Sequence, residues 1–394
     1  MWNENTIRRA PFDYPLLITV GILTGLGLTM VFSASAVLAQ ERFGDSLYFL
    51  KKALLYSGLG AGVMAGVMRV PYYHWRRLVY PVLLGCFFLG LLTLYSPLGV
   101  SLAGARRWLD LGPLTFQFSE AAKIALVIFM AYSMEKKIEK MNIFSIGILP
   151  HLLIAGFLIL LVLGGKDLGT AFVMASFVLW MLFLGGARLK HLGLLMLAAL
   201  PFLYYLIAQE GYRMQRVLSF LNPWSDRFGG GFQIIQSFLA FSEGGLFGKG
   251  LGAGQQKLFY LPEAHTDFIF SVLAEEMGLV GVFFVVVLFA FLVFRGLQIG
   301  RRAPCLFGRY LAFGVAVLIA LQSLLNMGVV MGLLPTKGMV LPFVGYGGSS
   351  LVCTLVAAGI LLNVSTYRAA ETPAFFKDRT VDRGPWTVDP VAVP

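Results

Sequence analysis

Apolar and polar positions alternate along this chain on a scale of about twenty residues. Nearly unbroken apolar runs occupy 14–39, 53–69, 78–97, 119–134, 144–165, 168–186, 191–209, 268–294, 307–333 and 340–366. A helix needs about 20 apolar residues to cross the hydrocarbon core, at 1.5 Å of rise per residue. Backbone groups in lipid have no water to bond, so runs of this kind fold as helices. The pattern predicts an all-α integral membrane protein with about ten transmembrane helices. Arg8 and Arg9 before the first run, with Ser33-Ala34-Ser35-Ala36 near its end, imitate a signal peptide. The run is too long for one and nine more follow, so an uncleaved span is expected.

Composition agrees with that pattern and excludes the soluble classes. Of 394 residues 58% are hydrophobic and 13% charged, against about 25% charged in a soluble domain. The net charge of +11 would suggest nucleic acid in a soluble protein. Here the basic residues cluster between apolar runs, which fits charge-guided topology and anionic lipid, and no nucleic-acid partner is expected. Cys86, Cys305 and Cys353 are odd in number and lack metal-ligand spacing, so neither a disulfide framework nor redox chemistry is expected.

The Lys and Arg distribution orients the chain. Arg8, Arg9, Arg76, Arg77, Lys136, Lys137, Lys140, Arg188, Lys190, Arg301 and Arg302 fall on one side, and fewer, such as Arg42, Lys51 and Lys166, on the other. The asymmetry predicts both termini in the cytoplasm and an even number of crossings. The expected organisation is a short cytoplasmic tail over 1–13, a polytopic domain over 14–367, and a disordered, proline-bearing cytoplasmic tail over 368–394. Residues 210–266 form one long outer loop between the seventh and eighth spans, a length that is usually functional. Its pieces Val217–Leu221 and Gln233–Phe241 are short and apolar, so it is expected to lie against the membrane. Gly21 and Gly25 on the first span, and Gly58, Gly62 and Gly66 on the second, make small-residue faces, expected to pack inside the bundle rather than form a dimer face.

Ionisable residues in or beside spans are costly and mark function by default. Glu120 and Lys123 share a helix face at the start of the fourth span. Asp167 stands at the outer turn between the fifth and sixth. Asp267 opens the eighth and fits two roles, a helix cap or a catalytic carboxylate. Glu275 and Glu276 follow on that span and are expected to be structural anchors, Glu276 needing a partner from another span or water. His265 beside Asp267 has no second ligand at helical spacing, so no metal site of protein side chains is expected. The glycine-rich Gly244–Gly252 lacks Walker spacing and reads as a tightly turned loop. Arg106-Arg107-Trp108 fits either a pyrophosphate and sugar contact or an interfacial belt.

Several long stretches resemble one family. Leu261-Pro262-Glu263-Ala264-His265-Thr266-Asp267, Gly332-Leu333-Leu334-Pro335-Thr336-Lys337-Gly338, Leu341-Pro342-Phe343, Tyr346-Gly347-Gly348-Ser349-Ser350, Gly104–Gly112 and Asp167-Leu168-Gly169-Thr170 are similar to signatures of the SEDS family of shape, elongation, division and sporulation proteins. The division and sporulation branches are the nearer match. Phe118 and Lys166 depart from it, standing where the family usually or often has proline.

The resemblance implies a peptidoglycan glycosyltransferase that polymerises lipid II on the outer face of the cytoplasmic membrane during cell division, enriched at the septum. It implies Asp267 as general base. Arg106, Arg107, Trp108, Glu120, Lys123, Asp167, Glu263, His265 and Lys337 are the candidate substrate-binding residues. A divalent cation, Mg or Mn, would be held through the substrate pyrophosphate. Implied partners are a class B penicillin-binding protein (a transpeptidase), other division proteins and membrane lipids. Two other functions stand beside this one: a lipid II flippase, against which the lack of an obvious pair of interrupted spans counts, and a non-catalytic scaffold of the division machinery.

Overall fold

The computed structural model describes residues 7–102, 104–110, 112, 115–258 and 260–369. The expected disordered tail lies outside the described residues from 370 onward. The described residues form twelve α-helices: α1 (Tyr14–Phe43), α2 (Tyr48–Arg69), α3 (Trp75–Tyr95), α4 (Phe118–Lys137), α5 (Leu149–Gly164), α6 (Leu168–Leu184), α7 (Leu189–Ala208), α8 (Gly211–Leu221), α9 (Phe232–Gly244), α10 (Ile269–Arg302), α11 (Leu306–Val330) and α12 (Gly348–Ser365). Each of the ten apolar runs contributes most of its length to one helix. Seven of these helical stretches are long and apolar enough to cross a membrane, and α6 is apolar but shorter. The chain is a multi-pass helical membrane protein.

Two small sheets add to the expected all-α class. β1 (Ile7–Arg9) pairs antiparallel with β5 (Tyr367–Ala369) and ties the two ends of the chain together. β2 (Gly99–Leu102), β3 (Ala105–Asp110) and β4 (Thr115–Gln117) form an antiparallel meander that delivers the chain into α4.

α4, α11 and α12 make the buried centre. α12 buries fifteen of its residues, while α7 buries only Leu192 and stands away from the bundle. The glycine stripes differ from expectation. Gly21, Gly25, Gly58, Gly62 and Gly66 face open space, and the close approaches fall on Gly27 and Gly60. A Cβ at Gly27 would lie 2.4 Å from the Phe343 carbonyl oxygen, and one at Gly60 would lie 2.6 Å from Leu355. Two residues along a helix turn it by about 200°. Packing Gly60, Tyr56 and Val67 inward therefore sends 58, 62 and 66 outward.

Two apolar runs are not single helices. Residues 340–347 are a buried irregular segment, with Phe343 at φ 63. α10 is interrupted at Gly278, which sits at φ 64 and ψ −166. Before the break Ile269 to Glu276 are all buried; after it Leu279, Val280 and Phe283 are exposed as a lipid-facing surface requires. The lost helical bonds are replaced by the glycine-rich turn: Leu279 and Val280 donate to Gly245 and Leu246, and Lys249 and Gly250 donate to Glu275 and Glu276. Irregular backbone near lipid survives when protein satisfies it in this way.

The 210–266 segment is more ordered than a surface loop. Gln233–Phe241 belongs to α9, whose apolar face turns onto α10 rather than toward lipid. Ser237 Oγ lies 2.8 Å from Ser271 Oγ and donates to Val330 at 2.6 Å. Val217–Leu221 belongs to α8, which exposes Leu218 and Leu221 and keeps only Ser219 buried.

Candidate active site at the start of α10

Asp267 lies in the turn before α10 and is half-buried. It is not the cap. Phe268 occupies that position, with no side-chain cap bond. Among the described residues the Asp267 carboxylate accepts no hydrogen bond. Burial pushes it up to about 7, and the Glu263 and Asp167 carboxylates push the same way against the Arg216 and Arg107 guanidiniums. A carboxyl held near neutrality, with its lone pairs uncommitted, is suited to taking a proton.

The cap is Asp167. One of its oxygens accepts from Thr170 N at 3.0 Å, and the other accepts from the Thr170 hydroxyl at 2.9 Å and from Ser119 and Gln117 at 3.3 Å each. Asp167 therefore binds α6 to the start of α4 and is saturated. The preceding Lys166 takes φ 61, a value that the proline ring forbids, so the departure from the family pattern changes this turn. At the other departure, Phe118 simply opens α4.

Arg107 reaches both features. Its Nη2 donates to the Lys166 carbonyl at 2.9 Å and its Nη1 is 3.7 Å from Asp167 Oδ1. Lys337 sits in the loop between α11 and α12, with Nζ 3.6 Å from the centre of the Phe172 ring. Burial lowers its pKa to about 8, which leaves it mostly protonated at neutral pH. Gly169 marks the meeting point: a Cβ there would lie 3.7 Å from Asp167 Oδ1 and 3.8 Å from Lys337 Cβ. A Cβ at Gly338 would lie 3.4 Å from Asp267 Oδ2, so the backbone of the Lys337 loop runs close to the carboxylate.

Glu263, at φ 56, shapes the turn: its carbonyl accepts from Thr266 N and Phe268 N at 3.2 Å each, and its Oε2 accepts from the Thr266 hydroxyl at 2.8 Å. Asp267, Glu263, Asp167, Arg107 and Lys337 therefore converge. Arg216 on α8 joins them through its charge; sequence alone does not single it out, because an arginine in an amphipathic helix reads as a solvated charge.

Other candidates are elsewhere. The His265 ring lies between Phe49 (4.7 Å) and Tyr346 (5.7 Å), and burial lowers its pKa. It packs the segment rather than relaying a proton. Arg106 Nη2 donates to Ser96 O and holds β3 to the end of α3. Trp108 is half-buried on β3, opposite Gln117 in the sheet. Lys123 and Glu120 form a buried ion pair of 2.8 Å between α4, α11 and α12, beside Gln322 and Cys353.

Glu275 and Glu276 are anchors, as expected. Glu275 accepts from Gln255 N (2.6 Å), Gln256 N (3.1 Å) and Lys249 Nζ (3.3 Å). Glu276 accepts from Ser33 Oγ (2.6 Å), Lys257 Nζ (2.6 Å) and Gly252 N (3.0 Å). Ser33 supplies the partner from another span. Lys257 arrives from the long segment, too far along the chain for helical spacing to reveal.

A helical membrane protein with a neutral-poised carboxylate under a set of cations defines a class: a membrane-embedded enzyme or carrier acting on an anionic substrate. The comparisons with known proteins are narrower. Residues 14–370 match the family model of the FtsW, RodA and SpoVE cell cycle proteins, and the chain belongs to that family. It is 50% identical over 355 residues to the probable peptidoglycan glycosyltransferase FtsW of Geobacter sulfurreducens, covering 90% of this chain and 95% of that one. It is 43% identical to the stage V sporulation protein E of Bacillus subtilis, over 92% of this chain and 99% of that one. Among solved structures it is similar to a chain of a peptidoglycan synthase complex that coordinates polymerization and crosslinking (TM-score 0.73, 29% identity, 90% and 97% covered). It is also similar to the rod shape determining protein RodA of Thermus thermophilus (TM-score 0.66, 28% identity, 90% and 96% covered).

Proposed function

We propose that this protein is a peptidoglycan glycosyltransferase whose general base is Asp267 and whose substrate is lipid II, handled at the outer face of the cytoplasmic membrane. The observation that carries the mechanism is the uncommitted Asp267 carboxylate, raised to about 7 and covered by the Lys337 loop. An acceptor sugar hydroxyl gives its proton to Asp267 as its oxygen attacks the donor's anomeric carbon, and the lipid pyrophosphate leaves with the bonding pair. Arg107, Lys337 and Arg216 are the cations positioned to neutralise that leaving group. A positioned base contributes about 10²–10⁴-fold. The described residues contain no group of three or more potential metal ligands. A divalent ion would be held through the pyrophosphate oxygens, where it would add charge neutralisation.

The finer topology belongs to the same reading: ten crossings, both termini inside, and the 210–266 segment outside, with a class B penicillin-binding protein as partner at the division septum. A flippase would use the deep Glu275 and Glu276 as a polar path, and against that reading both carboxylates are held by Lys249, Lys257, Ser33 and loop amides.

Purified protein with its transpeptidase should extend glycan strands from lipid II, and Asp267→Asn should not. Near wild-type extension by Asp267→Asn would remove Asp267 as the base. A reporter fused after Gln209 should appear outside and one after Arg302 inside. Cytoplasmic labelling of a cysteine placed at Ser225 would reject the topology.

A further inference from the structure

The turn that carries Asp267 and the loop that carries Lys337 come from separate parts of the chain, and one side chain joins them. Asn326 lies on α11 and is 2% exposed. Its Nδ2 donates to the backbone oxygen of Asp267 at 3.0 Å and to that of Met339 at 2.6 Å. A primary amide nitrogen carries two protons, so both are used. Met339 N in turn donates to the Lys337 carbonyl at 3.0 Å, so the second bond fixes the turn that presents Lys337. Between these two anchors the Gly338 backbone comes near the Asp267 carboxylate: a Cβ there would lie 3.4 Å from Oδ2. On the far side of the turn, Tyr346 N donates to the His265 carbonyl at 3.0 Å.

Packing alone does not account for Asn326. Ser323, nearly one turn earlier on the same helix and equally buried, bonds its own helix at Ile319 O, 2.9 Å away. That is the usual way for a small polar residue to be satisfied inside a bundle. Asn326 instead spends both protons on segments 59 and 13 residues away. Its Oδ1 is buried with no partner among the described residues, a penalty that an apolar side chain of similar size would avoid.

We infer that Asn326 is a positioning residue of this site: its amide sets the spacing between the Asp267 carboxylate and Lys337 and holds the Gly338 backbone over the carboxylate. The inference rests on Asp267 being the base. Loss of the amide lets the loop lift, water reaches the carboxylate, and its pKa falls toward the ordinary aspartate range near 4.

The test compares lipid II polymerisation by Asn326→Ala, Asn326→Asp, Ser323→Ala, Asp267→Asn and wild type across pH, each purified with its transpeptidase and each with a melting curve. Asn326→Asp keeps the shape but turns an acceptor toward two carbonyl oxygens. Both Asn326 variants should lose about 10–100-fold in kcat, the scale of a 1 Å misplacement. KM should change little, and the acid limb of the pH profile should move below its wild-type position near 7. Ser323→Ala should behave as wild type. An Asn326→Ala enzyme with a wild-type rate and pH profile would overturn the inference. So would a loss of rate that tracks a lowered melting temperature and leaves the acid limb in place. An active Asp267→Asn enzyme would instead overturn the base assignment, whereas an inactive one beside wild-type Asn326 variants would remove only the positioning role.

Discussion

Asp267 and the pair Glu275–Glu276 are acids within ten residues of one another, and they live in opposite circumstances. Glu275 and Glu276 are essentially unexposed and accept hydrogen bonds from two lysines, a serine and three backbone amides. Asp267 is half-buried, accepts none among the described residues, and feels the Glu263 and Asp167 carboxylates against the Arg216 and Arg107 guanidiniums. A buried carboxylate with a full set of donors is committed to holding the fold, and here it fastens the 210–266 segment to the break in α10. A carboxylate denied donors costs stability and leaves its lone pairs uncommitted, as the proposed base requires. Acidity in a span is therefore a weak guide to catalysis, and the state of the acid's partners decides.

The sharpest way to break that contrast is exchange of each acid for its amide. Asp267→Asn should lower polymerisation by about 10²–10⁴-fold with folding intact. Glu276→Gln should do the reverse, because it strands the buried Lys257 ammonium. The expected cost is about 3–5 kcal/mol of stability, read as a lower melting temperature with retained activity in the molecules that stay folded. If the two results came out the other way round, the assignment of roles would be wrong.

Lys123 tests whether a buried pair can serve both ends. Lys123→Ala strands Glu120 and should also cost about 3–5 kcal/mol, with lowered polymerisation in protein that still inserts. The double variant Glu120→Gln, Lys123→Met should recover most of the melting temperature. Activity that returned with it would make the pair a packing device, and a folded but inactive double variant would place Lys123 at the substrate.

The pH dependence sharpens the comparison further. The rate should climb through about pH 7 as Asp267 ionises, a limb absent from the residual rate of Asp267→Asn. Stability carries the opposite sign. The folded-state pKa of Asp267 is raised above its unfolded value, so its contribution is intact below about pH 4 and is lost as pH rises through about 7. Asp267→Asn should therefore melt with wild type in acid and above it in base. A melting difference constant across pH would contradict the raised pKa. At the small end, Lys51→Ala cuts an exposed pair with Asp45 of 2.7 Å. It should leave both the melting temperature and polymerisation essentially unchanged, because solvent screens an exposed pair.

Periodicity and composition were enough to give a multi-pass helical membrane protein and to put a helix in each long apolar run, because lipid forces the backbone to bond within its own segment and a twenty-residue apolar run has little other choice. Capping chemistry proved ambiguous: an acid before a helix reads the same at Asp167 and Asp267, and only Asp167 caps. The motif around Asp267 was legible as a resemblance, but nothing in its spacing showed which acids were already satisfied. That depends on Ser33, Lys257 and Gln255, which reach α10 from elsewhere in the chain. The glycine stripes were misjudged for a related reason, since a sequence gives the spacing of small residues and not which side of the helix meets a neighbour. The break at Gly278, the irregular 340–347 segment and the bonds of Asn326 across two loops were likewise decided by tertiary structure. Each satisfies backbone or side-chain groups through partners tens to hundreds of residues away, and local pattern carries no record of such pairings.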